Sequence, residues 1–205
     1  VSRREHASRS RSLVLRRARA IFASGIVLGV GAASTLAAWT DQEHATATFA
    51  AGTFGIEGST NGVDFSEHLD AAGAAALDFT VAANALVPGQ TVYGRFSVRT
   101  LAESAAGTAQ LTADGGNGTG LGAFLRYGVR TVAGTTCDAT TYAAGTEVVP
   151  TGSDLTTGSS TTQQLSASAG SVVTYCFAIS LPSSTGNEAQ GLTGTPRWVV
   201  AAQAV

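Results

Sequence analysis

From Ala45 to the C-terminus, apolar side chains recur at every second position in short runs, and no stretch sustains the 3.6-residue period of an amphipathic helix. A chain patterned this way buries one face of each extended run and leaves the other wet, so it is expected to fold as sheets. Thr91 to Thr100 (TVYGRFSVRT) sets Val92, Phe96 and Val98 on one face and Tyr93, Arg95, Ser97 and Arg99 on the other. Leu125 to Val132 sets Leu125, Tyr127 and Val129 opposite Arg126 and Arg130. Ala76 to Val81 places Leu77, Phe79 and Val81 together, and Ala45 to Phe49 and Thr53 to Glu57 are expected to be extended. Val172 to Leu181 is apolar almost throughout, the mark of a strand covered on both faces. Arg197 to Ala201 is expected to be the closing strand, with Trp198 in the core.

Turn chemistry punctuates these runs. Asn61-Gly62 tolerates positive φ, and Pro88-Gly89 combines a preset φ with a residue free to enter the left-handed region. Asp114 to Gly120 and Thr151 to Thr162 are expected to be long surface loops, and helical signals at Ala71 to Ala76 and Leu101 to Ala106 amount to short turns. Many short strands at regular spacing predict an all-β fold, an antiparallel β-sandwich or barrel.

The N-terminal part follows different rules. Seven of the twelve arginines lie between Arg3 and Arg19, and the following run from Ala20 to Ala38 carries no charge. A basic segment, an apolar segment and then small residues is the order of a secretory signal peptide. Residues 1–19 form the n-region and 20–38 the h-region. The arginines hold the cytoplasmic side while the apolar run enters the bilayer. Cleavage after Ala37 puts Thr35 at the third position back, and cleavage after Ala38 puts the larger Leu36 there. The competing reading is an uncleaved anchor, but Gly25, Gly29 and Gly31 weaken the run as a span of about 20 residues. The Arg16-Arg17 pair has the look of a twin-arginine signal, yet Ala18, Arg19 and Ala20 fit that pattern poorly.

Cysteine usage agrees with export. Cys137 and Cys176 are the only two cysteines, and an even count beyond an export signal predicts one disulfide. Closing such a loop stabilises a fold by about 4 kcal/mol in the chain-entropy account. From Trp39 onward, five arginines face thirteen acidic residues, a net charge of −8. Such a body repels phosphate backbones, which argues against nucleic acid as a partner.

Signatures of catalysis are missing. Glu43-His44 and Glu67-His68 lack the one-turn spacing of paired zinc-binding histidines, and there is no G-x-S-x-G elbow. The Asp114 loop lacks the repeated aspartate spacing of a calcium site. Asn117-Gly118-Thr119 fits a glycosylation acceptor, a pattern frequent by chance. No metal, cofactor or enzymatic activity is therefore expected.

The junction from Leu36 to Ser59 (LAAWTDQEHATATFAAGTFGIEGS) resembles the start of TasA/camelysin-family proteins, which are processed by the SipW-type signal peptidase. The resemblance rests on Ala37-Ala38, Trp39, Asp41 and the Thr48-Phe49-Ala50-Ala51-Gly52-Thr53 segment. Leu86 to Gln90 and Asn187 to Gly191 resemble two further short elements of that family. Residues 107–186 have no clear counterpart, and the disulfide is a departure. The resemblance implies cleavage between Ala38 and Trp39, secretion, a jelly-roll β-sandwich, and a fibre or surface-matrix role. The metallopeptidase activity ascribed to some members is not carried over, because no zinc ligand set is present.

These readings divide the chain into a helical signal peptide (1–38), an extended N-terminal segment (39–58) and a β-sandwich (59–205). The expected function is a secreted structural protein of the cell surface or extracellular matrix. Once freed, a segment carrying Trp39, Asp41, Thr46, Thr48 and Phe49 would add as a strand to a neighbour's sheet edge. Such a head-to-tail contact does not close and so propagates as a filament. A monomeric surface binding module or adhesin is the second reading, and a secreted metallopeptidase the third. The expected partners are the signal peptidase and further copies of the chain, with membrane contact only through the uncleaved leader.

Overall fold

The computed structural model describes residues 14–22, 43–48, 51–79 and 85–205. The chain falls into two units, Val1–Phe49 and Ala50–Val205. In the first, residues 14–22 form helix α1, and residues 43–48 are exposed and carry no regular secondary structure. No helix among the described residues is long and apolar enough to cross a membrane.

The second unit is all-β, built from two antiparallel sheets. Its strands are β1 (Ile56–Ser59), β2 (Thr91–Thr100), β3 (Gly107–Ala113), β4 (Arg126–Val132), β5 (Thr146–Asp154), β6 (Gln163–Leu165), β7 (Val173–Ser180) and β8 (Trp198–Ala204). Five strands form one sheet in the order β1-β2-β7-β4-β5, and three form the other in the order β6-β3-β8. Because β1 pairs with β2 from Ile56↔Thr100 to Ser59↔Ser97, the folded region reaches back before residue 59.

Period-two patterning decides the packing. Opposite residues in antiparallel register share a face, so Val92↔Ile179, Gly94↔Phe177 and Phe96↔Tyr175 point inward from β2 and β7. Tyr127↔Ile179 and Val129↔Phe177 do the same from β4 and β7. From the three-stranded sheet, Ala109 and Leu111 of β3, Leu165 of β6, and Trp198, Val200 and Ala202 of β8 complete one shared core. The faces assigned to Thr91–Thr100 and to Leu125–Val132 are those observed, and β7 is central as its apolar composition requires. Gly62 and Gly89 adopt φ of 74° and 86°, which accounts for both turn dipeptides.

Several expectations need correction. Residues 43–48, within the segment expected to be extended, carry no regular secondary structure, and Phe49 lies outside the described residues. Leu77 and Phe79 do pack on the core, but without a strand: Phe79 makes only an isolated bridge to Gly94, and Val81 lies outside the described residues. The supposed loop from Thr151 to Thr162 is shorter, because β5 runs through Thr151 to Asp154. Pro150 and Gly152 both lie within that strand. Both are tolerated because β5 is an edge strand whose pairing with β4 shifts register after Tyr127 and again after Val129. Strands β3 and β6 and the short helix α2 (Ala139–Ala144) were not anticipated at all.

Candidate functional site

The two cysteines are joined. Cys137 and Cys176 form a disulfide with a Cα–Cα distance of 5.4 Å across a sequence separation of 39. Cys176 stands on the face of β7 turned away from the core, between Arg95 of β2 and Arg130 of β4. Cys137 lies in the β4–β5 connection, which folds back over that outer face. A covalent link across this distance in sequence fits an oxidising, extracellular environment.

Local chemistry shapes the connection. Asp138 caps α2: its carboxylate accepts from the Thr141 backbone N–H at 2.8 Å, and the Thr141 hydroxyl accepts from the Asp138 N–H at 2.9 Å. These bonds, with the backbone contact to Thr141 foremost, hold the Asp138 carboxyl below its ordinary value. The helix delivers Tyr142 onto Gly128, where a Cβ would meet the Tyr142 Oη and come within 2.8 Å of the Thr151 Cα. Tyr142 also shares a hydrogen bond of 2.6 Å with the Thr151 hydroxyl, packs 5.9 Å from the Tyr93 ring and lies under the Arg130 guanidinium.

Four of the five arginines after residue 38 occupy this outer face. Arg99 pairs with Glu57 at 2.7 Å and stacks on Phe65, Arg126 pairs with Asp154 at 3.2 Å, and Arg130 approaches Glu147 at 3.9 Å. Arg95 instead donates to two backbone carbonyls, those of Thr60 and Thr135. Beside it opens a small cleft of about 170 Å³ lined by Thr60, Asp78, Phe79, Tyr93, Arg95 and Cys137.

A second feature lies at the edge of the three-stranded sheet. Of the four sheet edges, β1 is covered by reciprocal bonds between Gly58 and Ser66, at 2.9 and 3.0 Å. Edge β5 carries Glu147, Asp154 and Pro150, and β6 is only three residues long. Strand β8 (WVVAAQA) has neither charge nor proline, and among the described residues no strand pairs with its outer side. Val199, on its outward face, is 58% exposed. Natural proteins usually blunt such an edge with charge, proline or a bulge, none of which is present here.

Other sequence candidates resolve differently. Asn117 of the glycosylation-like triplet is only 6% exposed. Its amide donates to the carbonyls of Leu155 (3.1 Å) and Arg197 (2.8 Å) and accepts from the Arg197 N–H (2.7 Å). It is a structural tie, not an accessible acceptor. Trp198 packs against Phe177 and Tyr127, as a core residue should. His68 stands edge-on to Phe96, and His44 is exposed. No group of three metal-binding side chains occurs among the described residues. Thr46 and Thr48 are exposed, whereas Ala38, Trp39, Asp41 and Phe49 lie outside the described residues.

No protein-family model matches the chain. No curated protein matches it either.

Proposed function

We propose that the chain is an exported structural subunit of the cell surface or extracellular matrix, with a jelly-roll-like sandwich and no catalytic role. In this reading, which keeps the TasA/camelysin resemblance, the helical leader is removed between Ala38 and Trp39 by a SipW-type peptidase. The freed segment then adds as a strand along β8 of the next copy. The observation that carries the reading is the uncharged outer edge of β8, whose unpaired backbone groups call for a strand as partner. Two facts support the choice of strand. Residues 43–48 are exposed and carry no secondary structure, and they lie outside the unit that contains both sheets, which begins at Ala50. The alternating small side chains of Ala45 to Thr48 would lie flat along the edge.

The test is electron microscopy and size-exclusion chromatography of the cleaved protein beside two variants. One lacks residues 39–51, and the other carries Val199→Lys and Ala201→Lys. The cleaved protein should form filaments, and both variants should stay monomeric with an unchanged β-sheet circular dichroism spectrum. Filaments from the truncated form would overturn strand donation. A wild-type protein that stays monomeric at every concentration would instead favour a surface binding module, for which the cleft beside Arg95 offers a recess.

A further inference from the structure

The β4–β5 connection, residues 133–145, lies across the back of the five-stranded sheet, and its packing is separate from the core. Cys137, Tyr142, Cys176 and Ala178 form a small buried cluster, joined by Tyr93 and Val132, and none of these residues belongs to the main core. The remaining attachments run largely through arginine side chains of the sheet. Arg95 donates to the Thr135 carbonyl, and Arg130 donates to those of Tyr142 (3.4 Å) and Ala143 (2.9 Å). The helix within the connection is six residues long and stabilises itself through its own Asp138–Thr141 capping box.

We propose that the Cys137–Cys176 bond is a redox-sensitive clasp: reducing it frees this connection from the sheet as a strap while the sandwich stays folded. The inference does not depend on filament formation. Cys176 is 0% exposed and Cys137 8%, so an attacking thiolate must approach through the strap side, where Cys137 borders the open cleft beside Arg95. A dithiol reductant attacks Cys137 Sγ, giving a mixed disulfide and releasing Cys176 as a thiolate that takes up a proton. The second thiol of the reductant then displaces Cys137. The protein ends with two thiols and the reductant as its disulfide. With the covalent link gone, the strap is held by a small apolar cluster and partly solvated hydrogen bonds, the profile of a segment that opens locally.

Amide hydrogen exchange read by mass spectrometry tests this on the full chain in three states: oxidised, reduced by dithiothreitol, and as the Cys137→Ala/Cys176→Ala variant. Reduction should speed exchange in residues 133–145 by about tenfold or more, while β2, β3 and β7 change by less than about twofold. Reoxidation should restore protection. Two results would overturn the proposal. A strap that stays protected without the bond shows that packing alone holds it. Strap and strands losing protection together, or a double variant that does not fold, show that the bond braces the whole domain.

Discussion

Two buried polar side chains show how differently a single residue can act. Asn117 uses its amide in three hydrogen bonds that join the β3–β4 connection, the end of β5 and the start of β8. Asn117→Ala strands those partners in a buried place and should cost about 3 kcal/mol, read as a lowered midpoint in urea unfolding. Tyr175 is the opposite case. Its hydroxyl is buried with no hydrogen-bond partner among the described residues, and burial pushes its pKa up to about 12 from 10.0. Tyr175→Phe should therefore be neutral or stabilising by about 1 kcal/mol. The raised value means that the phenol ionises more readily in the unfolded chain, so stability present below pH 10 drains away as pH climbs towards 12. Thermal melts between pH 9 and 12 should show the Tyr175→Phe protein losing less than the parent. Tyr127 is also raised by burial, offset in part by the Trp198 indole, and it sharpens the alkaline loss in both proteins alike.

At the scale of elements, legibility tracked side-chain contrast. The faces of β2, β4 and β7 could be assigned because Val, Phe and Tyr alternate with Arg, Ser or Thr, or run continuously apolar. Strand β3 (GTAQLTA) went unseen because Gly, Ala and Thr offer almost no hydrophobic contrast, although Ala109 and Leu111 are fully buried. Helix α2 was hidden by its shortness and by a capping box closed with threonine instead of the usual Glu or Gln. The disulfide was legible from an even cysteine count taken with the export-like N-terminal segment, whereas the edge position of β8 depends on strand order and leaves no local mark. Between elements, one close approach is that of Tyr142 of α2 on Gly128 of β4. Gly128→Ala forces Tyr142 or the Thr151 backbone to move. It should cost about 2 kcal/mol or more and raise the fluorescence sensitivity of Tyr142 to quenchers. The β6–β7 turn offers the reverse experiment. Ala169 sits at φ 56°, so Ala169→Gly should raise the melting temperature, the strain relieved being about 1 kcal/mol.

For the molecule as a whole, the leader and the disulfide make one joint prediction about mass. Protein recovered from the growth medium should begin at Trp39 and retain no leader. It should also weigh about two mass units less than the fully reduced chain, since pairing Cys137 with Cys176 removes two hydrogens. Intact-mass spectrometry reads both quantities at once. An unprocessed chain with free thiols would contradict the exported reading and leave the sheet architecture untouched.

The placement of β8 bears on the order in which the sandwich is completed. Its partner β3 precedes it by some eighty residues, and the smaller sheet lacks one whole side until β8 pairs. The smaller sheet is therefore completed by pairings that run from Ala113↔Trp198 to Gly107↔Ala204, across a long separation in sequence. In a chain exported as proposed above, such late zipping would leave the three-stranded sheet open during passage, and the free edge of β8 would take shape only on an otherwise finished body.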